Sequence, residues 1–311
     1  MSIVCIGESA LRFSTPEGER FETAREARVA VDGLASNAAA VAQRLDADAI
    51  WLSKVPDTPL GRRVVAELQE HGLETDVVWA EDAGRQGLTF FEDATPPRES
   101  RLIQDRADAA MGTLTPGEIQ MAHIQNADVV FTTGSTAALS KQAAETMGAL
   151  LRSGPGLRAM DLDFHPGTWD ADTAHDTLED IFPAVDMLFA SEDQAKAVFD
   201  RSGRPRELVH TIAADYDFSH VVLTRSEHGV VGYHDNVVHE QDAFETPATD
   251  SAGQHATFIG GVFSKLVEGA PTDDALEYGA AAAAIARTMS GPLVPIEPGE
   301  VDSLISDTGR R

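Results

Sequence analysis

In "ATDSAGQHATFIGG" (248–261) a turn of small residues gives way to an apolar-periodic run, "TFIGGVFSKLVEG" (257–269). The segment predicts a loop that opens a helix. Free N–H groups and the helix dipole make such a mouth a site for anions, phosphate above all. An ordinary helix start, capped by Asp250 or Ser251, explains the same letters. The flanking sequence has to decide between the two.

Strand-like and helix-like runs alternate through most of the chain. "SIVCIG" (2–7), "AIWLSKV" (49–55), "DVVFTTG" (128–134), "LRAMDLD" (157–163), "VDMLFAS" (185–191) and "HVVLTRS" (220–226) read as short strands. "LASNAAAVAQRLD" (34–46), "PLGRRVVAELQEHG" (59–72) and "PTDDALEYGAAAAAIARTM" (271–289) read as helices. Alternation at this spacing predicts an α/β fold, a parallel sheet between two layers of helices. Two stretches break the rhythm, within about 11–31 and 85–104; both read as turn-linked strands, suited to a small sheet over the ligand crevice. "GVVGYHDNVVHEQ" (229–241) predicts a hairpin turning at Asp235-Asn236. No internal repeat or long linker divides residues 1–311, so a single domain is expected.

Composition narrows the function. The chain has 311 residues, 51 acids against 24 bases and a formal net charge of −27. Only four of the bases are Lys. Such a surface opposes binding to nucleic acid, and its self-repulsion is relieved by salt. It resembles the acidic surfaces of proteins from salt-accumulating archaea. The most uniform apolar run, "AAAAAIA" (280–286), is far too short to span a bilayer, and the start shows no secretory pattern. A cytoplasmic protein without a membrane partner is expected. The single cysteine, Cys5, lies in a strand-like run and reads as a small buried hydrophobe.

Two further constellations accompany the opening loop. "GES" (7–9) followed by "DGLASNAAAVA" (32–42) puts the Asn37 amide at a helix start, where it could bind hydroxyls; "LTRSEHG" (223–229) is a strand leading to a turn that could lie against phosphates. Taken in order with "CIGESALRFSTP" (5–16), "TPLGRRVVAELQEHGLETD" (58–76), "DRADAAM" (105–111) and "GPLVP" (291–295), they make the chain resemble the ribokinase/PfkB-type sugar kinases over nearly its full length. It is most similar to the 2-keto-3-deoxygluconate kinases. The resemblance implies a Rossmann-like domain with a small β-sheet lid, commonly used for homodimerisation. It also implies transfer of the ATP γ-phosphate, with Mg²⁺, to a hydroxyl of a sugar or sugar acid.

The resemblance implies site residues as well. Glu8, Arg12, Gly33, Asn37, Phe90, Arg106 and Asp161 fall on the sugar side. Ser191, Thr224, Ser226, Gly229, Gly253, Ala284 and Gly291 fall on the nucleotide side. In the signature loop Asp250 and Gly253 match the family, Gln254 takes a small-residue position, His255 takes a glycine position, and Ala256 stands where the family has its catalytic Asp. Ala256 cannot accept a proton, and no Asp or Glu occurs between Asp250 and Glu268. Ser191 and Gln194 replace the family's Asn and Glu that organise the Mg²⁺ waters, so no side chain is assigned as a metal ligand. The sequence therefore predicts a sugar-kinase homologue that binds its sugar and transfers phosphate weakly or not at all. Two alternatives are an active kinase with His255 or Asp250 as base, and a regulatory or structural partner of an active kinase.

Overall fold

The computed structural model describes residues 2–81, 84–94, 97–225 and 228–308. Nine strands form the main sheet: β1 (Ser2–Ile6), β4 (Asp48–Pro56), β5 (Glu74–Ala80), β8 (Val129–Thr133), β9 (Leu157–Asp161), β10 (Met187–Ser191), β11 (His220–Thr224), β12 (Val230–His234) and β13 (Val237–Gln241). Their order is β13-β12-β11-β10-β9-β8-β1-β4-β5. All neighbours from β11 to β5 pair in parallel, and β12 and β13 add an antiparallel hairpin at one edge. The second sheet has four strands, ordered β3 (Arg28–Asp32), β2 (Ala10–Ser14), β6 (Leu88–Glu92) and β7 (Arg101–Asp105).

Side-chain alternation along the strands divides the core between the two faces of the main sheet. On β1, Val4 and Ile6 join one cluster with Met147, Leu178 and Ile212, whereas Ile3 and Cys5 join the other with Ala39, Val64 and Phe263. Cys5 is fully buried, and burial pushes its thiol well above the ordinary range. On the second face the helices Leu34–Arg44, Gln254–Val267 and Thr272–Ala286 meet at glycines. A Cβ at Gly260 would stand 2.6 Å from the Ala38 carbonyl oxygen, and one at Gly261 would stand 3.0 Å from the Gly279 Cα. The paired glycines of the opening segment thus serve helix packing.

The hairpin turns where expected, with Asp235 and Asn236 at φ 49° and 63°, the left-handed pair of a tight β-turn. β5 is an addition to the reading of the sequence. Its residues "ETDVVWA" alternate weakly because an edge strand is only half-buried. Of the stretch 11–31, only the two ends are strands. Among the described residues, no helix is long and apolar enough to cross a membrane.

Candidate active site

A crevice with about 420 Å³ of internal space opens beyond the carboxyl ends of the parallel strands, where α/β proteins hold their ligands. One end is formed by Glu8 after β1, Arg12, Asp32, Thr89 and Gln104 of the small sheet, and Ser135, Asp163 and His165 after β8 and β9. The other end is formed by Thr224, Gly229 and Phe244 with Ala280, Ala283, Ala284 and Arg287. His255 and Ala256, on the first turn of the helix Gln254–Val267, line the wall as well.

The helix mouth explains the local sequence. The N-cap is Gly253, with no side-chain cap, rather than Asp250 or Ser251. Asp250 instead accepts from the Ala252 and Gly291 backbone N–H groups, both at 2.9 Å. That ties the loop to the 291–294 turn and takes the Asp250 carboxylate out of the crevice lining. Gly253 is required by close approach, since a Cβ there would meet Val294 Cγ2 at 2.5 Å. Gly291, at φ 103°, occupies the left-handed region.

His255 Nε2 lies 2.6 Å from Asp161 Oδ2, joining residues 94 apart in the chain. Asp161 is fully buried at the end of β9 and reaches the crevice only through the imidazole. Burial disfavours the His255 cation, but the charge and hydrogen bond of Asp161, helped by Asp163, outweigh it and raise its pKa. A second pair stands beside it. His165 Nε2 lies 3.1 Å from Asp163 Oδ1, and Asp163 also accepts from Ser135 Oγ. Burial pushes Asp163 upward, yet the His165 hydrogen bond and charge, Ser135 and Arg106 prevail and hold it at about 2. Arg106 pairs with Glu8, and Arg12 with Asp32. Asn37 donates to the Pro292 carbonyl at 3.2 Å, and to Asp32 at 3.5 Å.

Of the residues expected from the sequence, Glu8, Arg12, Gly33, Asn37, Arg106, Ser191, Thr224, Gly229, His255, Ala256 and Ala284 line this one crevice. Phe90 does not. It points to the opposite face of the small sheet and stacks on Phe13 at 5.4 Å, because strand alternation gives the crevice side to Thr89. Asp161, Asp250, Gly253 and Gly291 stand behind the wall, and Ser226 lies outside the described residues. The sequence reading missed Asp32, Thr89, Gln104 and Asp163 as lining groups; Thr89 takes the crevice side through the register that pairs it with Arg12.

The donor set does not suit a magnesium ion held directly. Ser191 and Gln194 satisfy each other in a reciprocal helix cap at 3.0 and 3.1 Å, and Glu192 pairs with Lys196. Among the described residues, no three His, Cys, Asp or Glu side chains converge as metal ligands. The alanine-lined slot beside Phe244 suits a flat apolar group such as a nucleobase.

The chain is similar throughout to known sugar kinases. It is 42% identical over 306 residues to the 2-dehydro-3-deoxygalactonokinase of Haloferax volcanii, covering 97% of this chain and 96% of that one. It is 26% identical to the 5-dehydro-2-deoxygluconokinase of Bacillus velezensis, covering 97% and 94%. The fold matches the 2-dehydro-3-deoxygluconokinase of Thermotoga maritima with a TM-score of 0.91 at 23% identity, covering 98% and 99%. It also matches a fructokinase with bound ATP from Xylella fastidiosa, with a TM-score of 0.84 at 19% identity and 99% of both chains. With residues 1–298 matching the pfkB family of carbohydrate kinases, the chain belongs to that family.

Proposed function

We propose that the chain binds a sugar or sugar acid and a nucleotide in this crevice, and that its phosphoryl transfer is weak or absent. The observation that carries the proposal is the first turn of the helix Gln254–Val267. A methyl group, Ala256, occupies the wall position, and the nearest carboxylate in sequence, Asp250, is spent on backbone N–H groups. His255 turns its Nε2 onto the buried Asp161 carboxylate at 2.6 Å, whose charge and hydrogen bond raise the imidazole pKa and so weaken it as a base. A positioned base typically contributes on the order of 10²–10⁴ in rate, so that much is the expected deficit. In its protonated form the imidazole at the helix mouth suits an anion such as a phosphate.

The test is ADP release with ATP, Mg²⁺ and a panel of sugars and sugar acids in multimolar KCl, beside calorimetric binding of the same ligands. Binding without turnover supports the proposal. Turnover near the ordinary enzyme median of about 10 s⁻¹ contradicts it.

A second reading is favoured by the His255–Asp161 pair, since a buried carboxylate that orients an imidazole is a familiar way to build a general base. It predicts turnover that rises with pH through the His255 pKa and vanishes in His255→Gln. The proposal also includes pairing of two copies through the small sheet. Its edge strand β7 leaves Leu102 and Ile103 41% and 43% exposed. Light scattering in high salt tests that part, and a monomer contradicts it.

A further inference from the structure

His220 and His234 face each other across β11 and β12, with ring centroids 3.8 Å apart and planes within 11°. Ser219 Oγ donates to the Asp186 carbonyl at 2.9 Å, so its 2.9 Å hydrogen bond with His220 Nδ1 is made by a proton on that nitrogen. The neutral ring of His220 therefore carries its lone pair on Nε2. His234 Nδ1 shares a 2.9 Å hydrogen bond with Thr272 Oγ1, at the start of the helix Thr272–Ala286. The stack thus joins three elements: β11, β12 and that helix.

Two protonated rings in face contact repel, and no salt ion fits between them to screen the charge. The positive end of the helix dipole at Thr272 also disfavours a cation on His234. His239, opposite Gly232 on β13, adds a third imidazole. Acids act the other way. Asp235 lies 3.6 Å from His234 Nε2, Asp186 beside His220 is already bound to Arg158, and Asp273 and Asp274 follow Thr272. On the opposite face of the hairpin His210 meets the Tyr233 ring edge-on at 5.7 Å, and Arg206 pairs with Glu240. Burial, and then the charge of His234, prevail and hold the His220 pKa at about 4. The closed pair therefore resists a proton that an opened, hydrated His220 accepts near the ordinary value of about 6.5.

β12 and β13 are the last two strands of the sheet, so they can part from β11 without breaking any other strand pairing. Both ends of this hairpin reach the apolar slot: Gly229 and Val230 before it, and Ala243 and Phe244 after it, line the crevice. Val230 lies about 13 Å along β12 from His234. The same strand is pressed onto the helix Thr272–Ala286, since a Cβ at Gly232 would meet Leu276 Cδ1 at 2.6 Å. That helix supplies the alanines of the slot. A shift at the stack is therefore felt by both walls.

We propose that the His220–His234 stack is an acid-sensitive clasp: proton uptake by the pair releases the β12–β13 hairpin from β11 and loosens the slot suited to a nucleobase. The consequence for the slot rests on the nucleotide-binding reading proposed above; the clasp itself does not.

The experiment is hydrogen exchange of the full chain in multimolar KCl, read by mass spectrometry across a pH series and corrected for intrinsic exchange rates. It compares peptides of the hairpin with peptides of β1 and β8. The hairpin's opening constant should rise by up to about tenfold per pH unit as the pH falls from about 6.5 toward about 4, the dependence for one proton taken up on opening. The central strands should lag behind. His220→Gln should flatten the rise, and His234→Gln, which removes the stacked neighbour but keeps the His220 imidazole, should shorten it. A rise that is equal in β1 and β8, or that survives unchanged in both variants, overturns the clasp. The wild-type comparison is read whether or not either variant folds. Saturating ADP with Mg²⁺ should move the opening to lower pH. ADP that binds by calorimetry yet leaves the opening unchanged overturns the link to the slot. No ADP binding at neutral pH overturns the nucleotide reading alone, because the clasp is read on the free chain.

Discussion

His255 and Asp161 form the contact on which most of the site's behaviour turns. The folded chain raises the imidazole pKa, so it holds that proton more tightly than the unfolded chain does. The pair's contribution to stability is therefore full below the unfolded value of about 6.5 and fades as the pH climbs through the raised folded value. Melting curves of the wild type and His255→Gln should diverge most at mildly acidic pH and converge toward alkaline pH. A difference that grows with pH would contradict the ion pair. Asp163 has the opposite sign. Its depressed pKa contributes roughly 2 kcal/mol that is present above the ordinary carboxylate range and lost as the pH falls toward about 2. Asp163→Asn should remove that part of the acid sensitivity, read as a smaller fall in melting temperature between pH 5 and pH 3. An unchanged fall would count against it. The His255–Asp161 pair was not legible in the sequence, because 94 residues separate the two and no local pattern links them. Ala256 was legible, since the absence of a carboxylate between positions 250 and 268 holds in any conformation.

Helix crossings set the stiffness beneath that site. Gly260 lets the helix Gln254–Val267 lie directly on the Leu34–Arg44 helix that carries Asn37, so an added methyl meets the Ala38 carbonyl oxygen and Val41. Overpacking of this kind typically costs about 1–3 kcal/mol. Gly260→Ala should lower the denaturation midpoint accordingly, while Gly117→Ala, with nothing within 4 Å of the added carbon, should leave it nearly unchanged. Equal effects of the two would show that the crossing is not tight. The strands, helices and hairpin turn could be read from periodicity and turn residues because those signals are local. β5 escaped because a half-buried edge strand alternates weakly, and Phe90 was put on the wrong face because its parity within β6 depends on register with β2. The sequence also suggested Asp250 as a cap or base. Only the folded loop, with the Gly291 N–H on the same carboxylate, shows that it ties two turns together.

A net charge of −27 acts over the entire protein. The screening length shrinks from about 10 Å at 0.1 M salt to about 3 Å at 1 M, so repulsion among exposed acids weakens steeply over that range. The melting temperature should rise with KCl up to molar concentrations, and a flat or falling profile would show that the charge is already balanced by local pairing. The acids at the crevice are paired at close range and respond less. Salt should therefore change global stability more than ligand affinity.

The most direct measurement of the central claim is ADP release by the wild type and by Ala256→Asp, alone and with His255→Gly, in multimolar KCl with the sugar that binds most tightly. The account predicts little or no turnover in the wild type and a rise of about 10²–10⁴ when the carboxylate is restored. Wild-type turnover near the ordinary enzyme range, unchanged or lowered by Ala256→Asp, would mean that the proton goes elsewhere and that the chain is a working kinase.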